Sequence, residues 1–162
     1  MPNYHRPRVA GATIFFTVAL ANRSSDLLVR EVGHLRQAVR ATKDALPFDI
    51  EAWVVLPDHL HCIWRLPAGE SDFPTRWRLI KSRFSRQVPK GSLRDSHRRR
   101  AERGVWQRRF WERHLRCEED FNAHLRYCWQ NPVKHGLVQR PEDWPWSSVH
   151  RDPRYVGGTG GA

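Results

Sequence analysis

The stretch from Trp53 to Leu66, WVVLPDHLHCIWRL, decides the predicted fold. Apolar and β-branched residues run on both sides of a Pro-Asp dipeptide, which is typical of two strands joined by a turn. Successive side chains of a strand point to opposite faces, so His59 and His61 share one face of the second strand. Two neutral imidazoles at this spacing suit a divalent metal ion. For the His-x-His motif taken alone, two surface histidines on a half-buried strand remain the better interpretation.

The regions around this hairpin predict an alternation of strands and helices. Strands are indicated over residues 11–20, 48–56 (with strict alternation of faces) and 105–110, and helices over 26–46, 72–86 and from 118 to Asn131-Pro132. The order β-α-β-β-α-β with a last helix is typical of the ferredoxin-like arrangement. We therefore expect an α+β fold, an antiparallel sheet with helices on one face and the C-terminal helix over the other, which carries the two histidines.

Length and composition favour a single domain. The 162 residues suffice for one core, so we expect one domain over 1–162, with flexible tails at about 1–10 and 153–162 and a basic loop over 87–104. No apolar run reaches membrane-spanning length, and the N-terminus lacks the apolar core of a signal peptide, so we expect a cytoplasmic protein without a membrane partner. The three cysteines show no Cys-x-x-Cys spacing and give no zinc-site signal.

The positive charge is concentrated in one segment. The net charge is +11, and residues 76–116 hold 15 Lys and Arg against three acids, while the remainder holds 13 basic and 14 acidic residues. Interleaved aromatic residues favour nucleic acid over a solvated surface or an acidic protein partner. The predicted nucleic-acid contacts are Arg76, Arg78, Lys81, Arg83, Arg86, Arg98, Arg99, Arg100, Trp106, Arg108 and Arg109.

A candidate nucleophile follows from the three tyrosines. Tyr4 and Tyr155 fall in the predicted tails, whereas Tyr127 lies on a predicted helix, with Asn131 four residues later on about the same face. Laid over the sheet, this helix would present a phenol and an amide oxygen to an ion held by the histidines. An ordinary half-buried tyrosine and a helix-capping asparagine are the alternative interpretation, and periodicity does not choose between them.

Three motifs together resemble those of the REP-associated tyrosine transposases, a bacterial branch of the single-tyrosine HUH transposases. They are WVVLPDHLH at 53–61, WQRRFWE at 106–112 and YCWQNPVKHGLV at 127–138, and the resemblance covers most of the chain. It implies that Tyr127 attacks a DNA phosphate, leaving a 5′-phosphotyrosine link and a free 3′-OH. It also implies that His59, His61 and Asn131 bind Mg²⁺ or Mn²⁺.

The same resemblance implies a nucleoid-associated protein, acting as a monomer or homodimer on single-stranded DNA at short palindromic hairpins. One departure is Glu112-Arg113, where many relatives have Glu-His; here His114 follows one place later.

Three functions are therefore open. The first is a metal-dependent DNA strand nuclease and transferase that acts through Tyr127. The second is a non-catalytic protein that holds repeat hairpins without cutting them, which the basic segment supports equally well. The third is a metal-dependent hydrolase that uses water; it is weaker because no carboxylate accompanies the histidine pair, since Asp58 is expected to point to the opposite face. The joint presence of both histidines, the tyrosine and the asparagine favours the first.

Overall fold

One four-stranded sheet organises the chain in the computed structural model, which describes residues 6–89 and 104–157. Its strands are β1 (Thr13–Ala19), β2 (Asp49–Val55), β3 (His59–Arg65) and β4 (Trp111–His114). Its helices are α1 (Leu27–Arg30), α2 (Val32–Ala45), α3 (Phe73–Arg86) and α4 (Glu118–Lys134). The strand order is β2-β3-β1-β4 and every neighbouring pair is antiparallel. The predicted α+β, ferredoxin-like fold is confirmed.

The two faces of the sheet carry separate apolar layers. Helices α1 to α3 cover one face, where Trp64 of β3 stacks on Trp77 of α3 with ring centroids 4.4 Å apart. Helix α4 covers the other face, where Leu125 and Cys128 pack against Ile63 of β3. The alternation along β3 sends side chains into both layers in turn, as the sequence predicts. The face with the two histidines therefore lies under α4.

Strand β2 departs from the strict alternation predicted over residues 48–56. Its pairing with β3 shifts register between Ile50 and Ala52, so Glu51 is an extra residue in the ladder. Such a bulge moves the residues after it to the opposite face. Phe48 consequently packs on Trp64 in the layer of α1 to α3, with ring centroids 4.1 Å apart, while Ala52 lies in the layer of α4.

The positions predicted from sequence for the fourth strand and the first helix are wrong. The fourth strand is Trp111–His114 and not 105–110, because within 105–110 only Trp106 forms a β-bridge, to Leu20 just after β1. The helix predicted over 26–46 is divided at Glu31 into α1 and α2.

Helix α4 does not end at Asn131-Pro132 as predicted. Pro132 lies inside the helix, where it removes one backbone donor, and the helix continues to Lys134. Gly136 then adopts a φ of +71°, and Leu137 N–H donates to Pro132 O at 2.9 Å. This left-handed glycine closes the helix, because it lets the chain turn back over the last carbonyls.

Arg6 in one predicted tail and Tyr155 in the other contact the rest of the protein. Tyr155 Oη donates to Glu142 at 2.6 Å, and its ring lies 5.1 Å from that of Trp129. Arg6 forms an ion pair with Glu112. Residues 1–5, 158–162 and most of the predicted loop at 87–104 lie outside the described residues. Within the described ranges, no helix is long and apolar enough to cross a membrane.

Candidate active site

The two histidines of β3 lie side by side beneath α4. Both side chains are buried, and their ring centroids are 4.9 Å apart. They share one face because they are two residues apart in a regular strand. The pairing of β3 with β1 places Thr17 opposite His61, and that with β2 places Val54 on its other side. The centre of the sheet thus fixes the positions of both imidazoles.

Each imidazole has a fixed partner at Nδ1. His59 Nδ1 lies 2.8 Å from Asp58 Oδ1, and His61 Nδ1 lies 2.8 Å from Thr17 Oγ1. Asp58 also accepts a hydrogen bond from Arg23 Nε at 2.6 Å. An imidazole that donates from Nδ1–H presents the lone pair of Nε2 for metal binding. The Nε2 atom of His61 is buried and has no hydrogen-bond partner within residues 6–89 and 104–157.

The position of Asp58 corrects the sequence analysis. Asp58 was expected on the opposite face from the histidines, yet its carboxylate contacts His59 directly. Asp58 precedes β3, which begins at His59, so strand alternation does not determine where its side chain points. It supports His59 through Nδ1.

Burial is the main cause that keeps both imidazoles neutral. It lowers the pKa of His61 to about 3, with smaller contributions from the neighbouring His59, His135 and Lys134. Burial also lowers the pKa of His59, although Asp58 opposes that shift. For Asp58 itself, burial acts to raise the pKa, but the hydrogen bonds from Arg23 and His59 outweigh it and the pKa falls. At neutral pH the site therefore holds two neutral imidazoles, the form that binds a metal ion.

Helix α4 brings Tyr127 and Asn131 to this face. The ring of Tyr127 lies 5.1 Å from that of His61, and its side chain is 38% exposed. Lys134 Nζ lies 5.2 Å from the centroid of the tyrosine ring. Asn131, one turn after Tyr127, is fully buried, and among the residues that the structure describes neither its amide oxygen nor its nitrogen has a hydrogen-bond partner. Since α4 continues past Asn131, this residue is not the helix cap of the alternative interpretation.

Three further side chains border the site and were not assigned to it from the sequence. Phe15 of β1 stacks on His61, with centroids 5.5 Å apart and planes 16° apart. His135 lies 5.2 Å from His59, measured between ring centroids. Its position four residues after Asn131, itself four after Tyr127, is the helical spacing that would have placed it on this face. Trp111 of β4 is 54% exposed and contacts Phe15 edge-on at 5.9 Å.

The donor set fits a divalent ion that accepts nitrogen and oxygen ligands. Imidazole nitrogens come from His59 and His61, and an amide oxygen is available from Asn131. Across residues 6–89 and 104–157, no group of three His, Cys, Asp or Glu side chains is arranged to hold a metal. Imidazole nitrogens and amide oxygens are ligand types that several divalent ions accept.

Arg76 does not lie on the basic surface where the sequence placed it. Its side chain is 1% exposed and pairs with Glu70 at 3.0 Å. Its guanidinium also donates to three backbone carbonyls, those of Leu46, Pro47 and Asp72. The prediction that Arg76 points outward is wrong, because its donors join α3 to the loop that follows α2.

Trp106 is also an interior residue and offers no stacking face. Its ring packs on Phe84 with centroids 5.3 Å apart, and its Nε1 donates to Lys81 O at 3.2 Å. Lys81 Nζ in turn donates to Gln107 O at 2.8 Å, and Arg83 donates to Thr42 Oγ1 at 2.8 Å. The remaining described candidates are exposed; they are Arg78, Arg86, Arg108 and Arg109. The others, Arg98, Arg99 and Arg100, lie outside the described residues.

The departure at Glu112-Arg113 does not bring His114 into the site. Register places Glu112 and His114 opposite Phe16 and Ile14, on the face covered by α1 to α3. His114 packs there against Phe73, with centroids 5.9 Å apart. Arg113 faces the side of α4 and pairs with Asp120 at 3.2 Å.

Comparison with known proteins identifies close relatives along nearly the whole chain, although no family model matches it. The REP-associated tyrosine transposase of Escherichia coli K12 is 45% identical over 152 residues, covering 94% of this chain and 85% of that protein. A Haemophilus influenzae protein provisionally given the same name is 40% identical over 154 residues, covering 94% and 88%. A solved REP-associated tyrosine transposase bound to a REP hairpin superimposes with a TM-score of 0.81 at 45% identity, covering 94% and 85%.

Proposed function

The chain belongs to the REP-associated tyrosine transposase family, and on that premise we propose that it is a metal-dependent nuclease and strand transferase of single-stranded DNA. Its substrates are repeat hairpins of the kind bound in the related structure. Tyr127 is the nucleophile, and His59, His61 and Asn131 are the metal ligands. One HUH transposase-like domain over residues 1–162 carries all of these groups.

The unpaired amide of Asn131 is the observation that carries the proposal. Leaving a buried polar group without a partner costs about 1–3 kcal/mol, so such groups in a folded protein call for a ligand. Asn131 has two such atoms, and His61 adds a third at Nε2. All belong to side chains on the face where Tyr127 lies beside His61. The other such atoms among the described residues are single ring nitrogens of His34, Trp77, His114 and Trp129, whereas Asn131 has both amide atoms unpaired.

The residues of the chain divide the chemistry between them. The Tyr127 phenol oxygen attacks the scissile phosphorus and forms a new O–P bond to it. The phosphate stays on the 5′ end of the downstream strand, and its bond to the 3′ oxygen of the upstream strand breaks. The phenol loses its proton and the departing 3′ oxygen gains one, so the products are a 5′-phosphotyrosine and a free 3′-OH. The reverse attack by a second 3′-OH rejoins the strand. Lys134, close to the phenol ring, places positive charge where the attacking oxygen and phosphate carry negative charge.

His59, His61 and Asn131 would hold a divalent cation, which would supply Lewis-acid polarisation of the phosphate oxygens. Thr17 and Asp58 hold the two imidazoles in the orientation that this requires. Arg23 holds the Asp58 carboxylate. The chain thus contributes an oriented pair of nitrogens before any metal binds.

Exposed basic side chains and one exposed indole ring provide contacts for DNA phosphates and bases. Arg78 and Arg86 of α3, with Arg108 and Arg109 before β4, are exposed and place positive charge where phosphates can approach, in the way the basic segment predicts. Trp111 takes the stacking role that the sequence analysis gave to Trp106, since its ring is exposed and touches Phe15 in the site. The protein acts on this DNA as a monomer or homodimer.

Covalent trapping is the experiment that tests this function. Purified protein is mixed with a labelled hairpin that has single-stranded flanks, in Mg²⁺ or Mn²⁺, and run on a denaturing gel beside Tyr127→Phe. We expect a metal-dependent adduct with the wild-type protein and none with the variant, whose hairpin affinity stays within about two-fold of wild type because only a phenol oxygen is removed.

Tyr155→Phe is the matched control, since it removes a hydroxyl far from the histidines, and it should form the adduct normally. The hairpin is taken from the repeats beside the protein's own coding sequence. Cleavage without an adduct would indicate a water nucleophile, and binding with neither would favour the non-catalytic hairpin-binding protein.

A further inference from the structure

A second basic surface lies at the β2 edge of the sheet, in a groove between α2 and the C-terminal segment. The groove encloses about 1020 Å³. None of the four proposed catalytic and metal-binding residues lines it. One wall of the groove carries Arg36, Arg40 and Lys43, the floor carries Trp53, and the other wall carries Arg151 and Arg154.

The cations of the first wall form a stripe along α2. Arg36, Arg40 and Lys43 follow one another at spacings of four and three, so they project from one side of the helix over about 10 Å. Arg151 faces them from the turn after the 3₁₀ helix Ser148–His150. Within the part of the chain that the structure describes, the guanidinium groups of Arg36, Arg40 and Arg151 have no carboxylate partner. These charges are therefore available to an external anion.

The acidic residues of the groove are largely neutralised within the protein. Glu51 pairs with Arg65 at 3.1 Å and with Arg154 at 3.3 Å. Asp152 pairs with Arg154 at 2.8 Å. Of the three acids in the lining, only Asp44 lacks such a pair among the described residues. The groove thus presents a net positive charge on both walls.

The floor adds an aromatic surface held in place by backbone contacts. Trp53 is partly buried against the core, and its N–H donates to Ser148 Oγ at 3.0 Å. The neighbouring Val54 bridges to Ser147, which fixes the C-terminal segment along β2. A positively charged groove that tracks a backbone, with an aromatic side chain in its floor, is typical of sites for unpaired nucleic acid.

We propose that this groove binds the sugar-phosphate backbone of an unpaired DNA strand, as a contact separate from the candidate active site. The inference rests on the proposed function insofar as that function makes DNA the partner. Strand β2 pairs with the strand that carries the histidines, with Val54 opposite His61, so the groove and the candidate active site lie at neighbouring strands of one sheet. The groove would then help to hold the strand while Tyr127 acts.

The salt dependence of binding tests this contact. Arg36→Gln/Arg40→Gln is compared with wild type by fluorescence anisotropy on a labelled oligonucleotide that cannot pair with itself, and on a blunt hairpin without flanks. Loss of two phosphate contacts to a single strand should make the slope of log affinity against log salt shallower by about 1.4. The blunt hairpin should bind as it does to wild type.

The control double variant is Arg30→Gln/Arg140→Gln, which removes two exposed guanidinium groups outside the groove and changes the net charge equally. It should leave the slope unchanged on both probes. Thermal melting checks that both double variants are folded. Equal slopes for the two variants would overturn the proposal, and so would a loss confined to the blunt hairpin.

Covalent trapping with the wild-type protein separates this inference from the proposed function. A normal adduct together with an unchanged salt slope in Arg36→Gln/Arg40→Gln rejects the groove alone. A shallower slope without any adduct in wild type keeps the groove and rejects the nuclease.

Discussion

The helix layers on the two faces of the sheet each bury a polar side chain, and the two side chains differ in their hydrogen bonding. Arg76 on α3 is 1% exposed and donates to Glu70 and to three backbone carbonyls. Asn131 on α4 is fully buried, and both of its amide atoms lack a partner. The first residue completes its interactions within the protein and holds the fold together. The second leaves binding capacity beside a tyrosine and two oriented histidines, which is what a ligand site requires.

Arg76→Ala should have the largest effect and should act on stability. The substitution removes the hydrogen bonds of a buried guanidinium to the carbonyls of Leu46, Pro47 and Asp72. A hydrogen bond to a charged group contributes about 1.5–3 kcal/mol, so we expect a loss of about 3–5 kcal/mol in total. For a chain of this size, that corresponds to a fall in Tm of about 6–20 °C. Thermal melting measures it, with the exposed Arg78→Ala as control, expected within about 0.5 kcal/mol of wild type. Equal melting temperatures would contradict the structural role of Arg76.

Asn131→Leu should have the opposite signature. Removing an unpaired buried amide in favour of an apolar group of similar size should leave the metal-free protein as stable as wild type, or up to about 2 kcal/mol more stable. The stabilisation by Mn²⁺, which reaches about 2.7 kcal/mol for wild type at one hundred times the dissociation constant, should disappear.

Melting curves with and without Mn²⁺ measure both effects of Asn131→Leu without relying on activity. Asn122→Leu, near the start of the same helix, is the control that should keep the response to Mn²⁺. A variant that keeps the full metal response would remove Asn131 from the ligand set.

Thr17→Val should have the smallest of the three effects. It removes the partner of His61 Nδ1 and leaves the imidazole in place, and loss of such a support typically weakens metal affinity by about 10–100-fold. Isothermal titration with Mn²⁺ measures the change. Thr13→Val on the same strand and face is the control, since Thr13 lies opposite Arg65 and supports no histidine. Equal affinities in the two variants would show that Thr17 does not orient His61.

Local periodicity predicts the residues of the candidate site well. The faces of His59 and His61 follow from two-residue alternation, and the shared face of Tyr127 and Asn131 follows from a spacing of four. Both rules depend only on neighbours in sequence. They place side chains correctly because β3 is regular and α4 runs past Pro132 without interruption.

Contacts between distant segments explain what the sequence did not predict. Arg76 is buried because the fold places the backbone carbonyls of residues 46 and 47 next to its guanidinium group. The distribution of charges along the sequence does not predict this contact. The extra residue Glu51 moves the side chains that follow it in β2 to the other face of the sheet. The pattern of apolar residues in the sequence does not reveal this bulge. The groove combines residues 36–43 with residues 151–154, although the segment outside 76–116 carries almost no net charge.

The placement of Tyr127 and His61 in one chain has a consequence for how such proteins change over generations. Their rings lie 5.1 Å apart within one polypeptide, so under the proposed function a single gene encodes both the nucleophile and the metal-binding histidines. A duplicated gene then carries both groups to its new position together. Each copy can acquire its own DNA preference by changes outside these two side chains.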